Sequence, residues 1–245
     1  MRNRYSLPVL VLGLLTMTLL GFAADEVEER AFIRELTERR PATKTQIYGF
    51  LTLRLADNQR REVPVKTITE PSSEHWVTRW ETQSAEGTPA ERLTVSHQLG
   101  RTNIYEWSRL DRPDGSFQKL NCTNLFQPFV NSDFWLVDLG LEFFQWPQQK
   151  ILRTEMRKGR SCRVLESINP SPTQGTYSRV VSWIDSEALQ PIRVEVFDAQ
   201  NKLLKVFAIL GIKKVNGKVQ LKDLEIRNEQ TDTRTRLDLE LEIDQ

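Results

Sequence analysis

From Thr45 onward the chain is a succession of short segments in which apolar residues recur every second position. TQIYGFLTLRL places Ile47, Gly49, Leu51, Leu53 and Leu55 on one side, REVPVKTITE alternates Val63, Val65 and Thr67, and HWVTRWET aligns Trp76, Thr78 and Trp80. A period of two is that of a strand with one buried face. The same pattern returns over residues 92–99, 102–110, 117–121, 150–156, 160–167, 176–185, 191–198, 202–212, 218–228 and 233–243. Between these runs stand turn-forming residues: Asp57-Asn58, Asp114-Gly115, Gly159, Asn169-Pro170, Gly175, Asp198 to Asn201 and Asn216-Gly217. Serial hairpins of this kind build one antiparallel sheet of about ten or more strands, and a sheet that wide curls rather than staying flat. Pro64 cannot donate to a ladder, which predicts an edge or a bulge at that point.

Two segments break the alternation. DEVEERAFIRELTERR, residues 25–40, carries Val27, Ala31, Phe32 and Leu36 at helical spacing, acidic residues in its first turns and Arg39 and Arg40 in its last. That distribution complements the helix dipole, and Pro41 stops the helix. The second is SDFWLVDLGLEFFQW, residues 132–146, where Phe134, Leu136, Val137, Leu139, Leu141, Phe143 and Phe144 are too dense for a solvated surface. It predicts a helix capped by Ser132, buried on more than one side and ended by Pro147. The expected architecture is mainly β, of the α+β class, with two or more helices covering the curled sheet.

Residues 1–24 read as a secretory signal peptide. Arg2 and Arg4 precede an apolar run from Leu7 to Leu20, and the small residues Gly21, Ala23 and Ala24 follow, so that cleavage falls after Ala23 or Ala24. The run is shorter than the roughly 20 residues of a membrane-spanning helix. Residues 25–245 then form a single domain, since no linker or shift of composition divides them. Exported in this way, the protein is periplasmic if its host is Gram-negative. Thirty-four basic residues against 33 acidic ones become 32 against 33 without Arg2 and Arg4, which excludes a polybasic nucleic-acid footprint.

The usual catalytic and metal-binding kits are missing from the sequence. The two histidines, His75 and His97, are 22 residues apart, and there is no HExxH, CxxC, GxSxG or phosphate-cradling glycine loop. No enzyme, cofactor or metal is expected. The only two cysteines, Cys122 and Cys162, lie in the exported part, where an oxidising compartment permits a bridge. Such a bridge would close a loop of about 40 residues and contribute roughly 4 kcal/mol in the chain-entropy account; two separate buried thiols are the alternative. The strand faces carry unusual apolar bulk at Leu51, Leu53, Trp76, Trp80, Trp107, Trp183, Val194, Val196, Leu237 and Leu239. Two helices cover little of such an area, so these residues, with Phe134, Leu139 and Phe143, either pack as core or line a hydrophobic cavity.

SDFWLVDLGLEF, GRSCRVLES, YSRVVSWID and PIRVEVFDAQNKLLKVF resemble the outer-membrane lipoprotein-sorting (LolA-like) proteins, over roughly residues 131–207. The resemblance implies a half-barrel of about eleven antiparallel strands wrapped over helices, a hydrophobic cavity for acyl chains, and the helices acting as a lid. It also implies a monomeric carrier of lipoprotein acyl chains or another lipid, with membrane-associated donor and acceptor proteins as partners and no catalytic residue. The competing expectation is a periplasmic interaction or sensing module whose apolar face is fully packed and which presents an edge strand to a protein partner.

Overall fold

The computed structural model describes residues 26–240, apart from 86, 112–116, 122–123 and 216–217. The expected signal peptide, the Asp114-Gly115 and Asn216-Gly217 turns and Cys122 lie outside the described residues. Helix α1, residues 26–38, is a compact unit of its own, and residues 39–245 belong to the second. Within α1, Phe32 is buried as its spacing predicts, whereas Val27 is exposed.

The second unit is one antiparallel sheet of thirteen strands. These are β1 (Thr45–Arg54), β2 (Arg60–Pro71), β3 (His75–Thr82), β4 (Glu91–Gln98), β5 (Ile104–Arg109), β6 (Gln118–Leu120), β7 (Gln148–Arg157), β8 (Arg160–Ile168), β9 (Tyr177–Asp185), β10 (Pro191–Asp198), β11 (Leu203–Val215), β12 (Lys218–Asn228) and β13 (Thr233–Glu240). Their order is β6-β5-β4-β3-β2-β1-β13-β12-β11-β10-β9-β8-β7. The chain thus meanders outward from β1 to one edge, crosses to the other edge at β7, and meanders back until β13 pairs with β1. The count exceeds the eleven strands that the family resemblance implies. Pro64 sits in the interior strand β2, paired with Phe50 of β1, and not at an edge. It is tolerated there because the ladder with β3 begins only at Val65, so the missing N–H falls beyond the last pair.

The crossover between β6 and β7 departs most from expectation. Residues 132–146 do not form one helix. They contain α2, Leu136–Leu139, and a single 3-10 turn, Glu142–Gln145, separated by Leu141 in the left-handed region at φ 49°. The backbone finds partners outside a helix: Phe129 N–H donates to the Phe134 carbonyl (2.8 Å), Leu136 N–H to Gln127 (3.1 Å) and Val137 N–H to Leu125 (3.1 Å). Ser132 caps a turn, accepting from the Phe134 N–H at 3.1 Å. Apart from the exposed Leu141 and the half-buried Trp135 and Gln145 the segment is buried, and apolar residues in such surroundings carry no period from which a helix can be read.

This segment also reports the curvature of the sheet. β5 and β9 are nine strands apart, about 43 Å in a flat sheet at roughly 4.8 Å per strand. Asp138 accepts from the Tyr177 hydroxyl of β9 at 2.9 Å, and two residues later Gly140 lies so close to Tyr105 of β5 that a Cβ there would be 2.1 Å from its hydroxyl. Two residues cannot span 43 Å. The sheet is therefore strongly curled around the crossover, although it is not closed.

Candidate functional site

The register decides which apolar residues share the face against which the crossover packs. Thr235 of β13 bonds Asp133 of the crossover, and directly opposed residues share a face. Following the pairs from Thr235, Leu53, Ile226, Phe207 and Val194 lie on that face, and the same alternation adds Leu51, Leu237, Leu239 and Val196. On the other side of β1 the pairs Thr67–Trp80, Trp80–Leu93 and Leu93–Trp107 bring Trp80 and Trp107 to it, with Trp76 four residues along β3 on the same side. Phe134, Leu139 and Phe143 belong to the crossover itself and are buried. Leu51, Leu53 and Leu237 are only 1–2% exposed. The three tryptophans are half-buried.

Trp183 does not join them. It opposes Val164 and Arg193, and with Cys162, Val164, Val181 and Ile192 it forms a cluster on the opposite face. Its indole N–H donates to Glu155, and Arg157 stacks on its ring with the guanidinium carbon 4.8 Å from the centroid. The odd position of Trp183 relative to Ser182, which opposes Val194, sends it to the other side. Cys162, the described half of the candidate disulfide, is fully buried in this same cluster.

What sequence reasoning missed is polar. Lys205 of β11 is completely buried and holds the crossover from three directions: its Nζ donates to the Asp133 carbonyl (2.8 Å) and to the Tyr177 hydroxyl (2.9 Å) and pairs with Asp138 Oδ2 (3.4 Å). It also sits 3.7 Å from the centroid of Trp135, whose ring stacks on Tyr177. Asp138 accepts further from the Trp135 N–H at 2.8 Å. Burial lowers the ammonium of Lys205 to about 8 and raises the carboxyl of Asp138, while the attraction between them opposes both shifts. Tyr177 faces inward because a register shift between Phe197 and Asp198 inserts one residue of β9 and reverses its alternation.

Two further ties hold the segment. Glu91 of β4 accepts from the Val130 N–H and the Trp107 indole, both at 3.0 Å. Glu142 accepts from Tyr105 (3.0 Å) and Asn103 (2.7 Å), and Asn103 in turn meets His97 Nδ1 at 3.1 Å beneath a stacked Trp76. Burial pushes the Glu142 carboxyl up to about 7 and the His97 imidazole down to about 4. The other histidine, His75, lies on the opposite face of β3 and meets Ser72. No cluster of three or more metal-ligating side chains occurs among the described residues.

The arrangement is thus a curled apolar sheet whose concavity is occupied by its own crossover, tied down at a few buried polar points. A family model with the description "Uncharacterized protein" matches residues 114–244, more than half of the chain. The chain belongs to that family. No protein in the curated set matches it in sequence. Among solved structures it is similar to a putative outer membrane lipoprotein-sorting protein domain from Vibrio parahaemolyticus, with a TM-score of 0.69 at 20% identity over 87% of this chain and 91% of that one. A DUF1329 family protein from Desulfovibrio piger gives 0.68 at 16% identity, covering 85% and 90%. A LolA superfamily protein from Nitrosomonas europaea gives 0.62 at 13% identity, covering 89% and 94%. The LolA-like resemblance read from the sequence is thereby borne out at the level of the fold. The residues of the Lys205 cluster come from the segments that carry that resemblance, but they are spread from Asp133 to Lys205, and no spacing in the sequence announces that they meet.

Proposed function

We propose that this protein is an exported carrier that holds the acyl chains of a lipoprotein or another amphiphile against the crossover face of the sheet. One observation carries the reading: the apolar face is continuous across the sheet, and what lies on it is a crossover whose attachment runs through a few polar ties at Lys205, Glu91 and Glu142. Acyl chains would lie against Leu51, Leu53, Val194, Val196, Leu237 and Leu239 in the place now taken by the crossover that carries Phe134, Leu139 and Phe143. Trp76, Trp80 and Trp107 would line the same side. Each methylene transferred from water contributes about 0.8 kcal/mol, so an acyl chain can replace packed side chains without any chemical step. Catalysis, cofactors, metals and nucleic acid have no place in this function, and membrane-associated donor and acceptor proteins are its partners. The similarity to the putative outer membrane lipoprotein-sorting protein domain and to the LolA superfamily protein supports the reading at the level of fold.

The near-zero exposure of Leu51, Leu53 and Leu237 favours a second reading, a packed interaction module that binds no lipid. Mass spectrometry of an organic-solvent extract of the protein, purified after export in a bacterial host, separates the two. Stoichiometric acyl species, displaced by a competing apolar fluorophore, are expected for the carrier. A stably folded, lipid-free protein that takes up no fluorophore would refute it.

A further inference from the structure

On the face opposite the crossover, four arginines stand in one row across four consecutive strands. Arg60 of β2 opposes Arg54 of β1, Arg54 opposes Arg234 of β13, and Arg234 opposes Arg227 of β12. Directly opposed side chains have Cβ atoms about 5 Å apart, and like charges so placed repel. Three such repulsions in succession call for counter-charge, and the carboxylates nearby supply it unevenly. Arg227 is satisfied by Glu229 through two bonds of 2.7 and 2.8 Å, and Arg236 by Asp238 at 2.8 Å and Asp223 at 3.5 Å. Arg60 has Glu62 at 3.8 Å. Arg54 donates to the neutral amide oxygen of Asn58, at 2.6 and 3.2 Å, and Arg234 makes no ion pair among the described residues.

The unsatisfied pair lies at a cleft of about 430 Å³ walled by Arg54, Arg60, Arg234 and Arg236, with Thr52 and Asn58 between them and Glu225 and Asp238 as its carboxylates. Asp238 is engaged with Arg236, so within the walls of the cleft Arg54, Arg60 and Arg234 face Glu225 with an excess of two positive charges, which Glu62 beside Arg60 lowers to one. We propose that this cleft is a binding site for a phosphate group, a phosphomonoester or inorganic phosphate dianion, held between Arg54 and Arg234. Planar guanidinium forks match phosphate oxygens two at a time, and a phosphate anion offsets the excess and relieves the repulsion between the opposed Arg54 and Arg234. The site faces away from the proposed lipid-binding face, so it stands whether or not acyl chains bind there.

The test follows the side-chain Nε–Hε NMR signals of the arginines as inorganic phosphate is added at constant ionic strength. The Arg54 and Arg234 signals are expected to shift saturably with phosphate and not with chloride, and R54Q/R234Q to bind at least tenfold more weakly. In phosphate-free buffer that double variant should melt higher than the parent, because the opposed charges are gone, while its melting temperature no longer rises with phosphate. Co-sedimentation with phosphatidylcholine vesicles containing phosphatidic acid identifies the source. Pelleting that depends on Arg54 and Arg234 assigns a lipid headgroup, whereas binding of inorganic phosphate alone assigns a soluble phosphate. Absence of a saturable shift, equal shifts with chloride, or unchanged affinity in R54Q/R234Q would overturn the proposal.

Discussion

Lys205→Met is the perturbation that most directly tests how the crossover is held. The ammonium is fully buried, its partner carboxylate on Asp138 is 1% exposed, and their separation is 3.4 Å. Removing the lysine leaves Asp138 buried with no cation and leaves the Asp133 carbonyl and Tyr177 hydroxyl without the bonds that Nζ made at 2.8 and 2.9 Å. Breaking one member of a buried pair costs about 3–5 kcal/mol. Tyr177 and Trp135 continue to donate to Asp138, which places the loss toward the lower end. With a urea slope of about 3 kcal/mol per molar, the midpoint should fall by about 1 M. Asp138→Asn should cost a similar amount, and the double variant less than the sum, because each single change strands the partner of the other. Lys44→Met removes the exposed pair with Glu70 and serves as the control, with a midpoint that does not move. Urea unfolding of the four variants decides the matter. A loss under about 1 kcal/mol for Lys205→Met, or additivity within about 0.5 kcal/mol, would show that the polar cluster does not anchor the segment.

Three further outcomes are expected. The raised carboxyl of Glu142, near 7, binds a proton in the folded state that the unfolded chain has already released, so its contribution is present below pH 4.5 and is lost as pH rises to 7. His97, lowered to about 4, acts in the opposite sense and loses stability as pH falls from 6.5 through 4. Glu142→Gln should therefore leave a stability that increases across pH 4–6.5 by at most ~3 kcal/mol, and His97→Gln one that decreases across pH 4.5–7; parallel pH profiles in thermal melts would contradict both. Gly140→Ala, whose Cβ would lie 2.1 Å from the buried Tyr105 hydroxyl, should cost about 1–3 kcal/mol, whereas a melt unchanged from the parent would mean that the crossover shifts freely. If acyl chains displace the crossover, Phe143→Glu should abolish uptake of an apolar fluorophore, and a variant that folds and still binds it would count against the carrier.

Legibility followed the physics of local pattern. The alternation of TQIYGFLTLRL or HWVTRWET depends on residues two apart, so the strands and the outward meander of hairpins could be read directly. The alternating runs lead to an expected sheet of about ten or more strands and the family resemblance to about eleven, whereas the sheet has thirteen. The helix expected over residues 132–146 failed for the converse reason. Where nearly every residue is buried, apolar density carries no period, and backbone bonds to residues 125–129 outcompeted the helical ones. Trp183 shows the same limit within a strand, because its face is fixed by pairing with Val164 and Arg193 and not by its own apolar character.

The sequence by itself determined the antiparallel meander, the helical stretch after residue 25 and the apolar faces of the strands, because propensity, period and turn chemistry act over a few residues. Only the tertiary structure decided that Lys205, Asp138 and Tyr177 meet, that Glu142 reaches Tyr105, and that Arg54 and Arg234 stand side by side. Those encounters join residues 28 to 180 positions apart, and curling of the sheet and the register of the strands, which no local pattern encodes, bring them into contact.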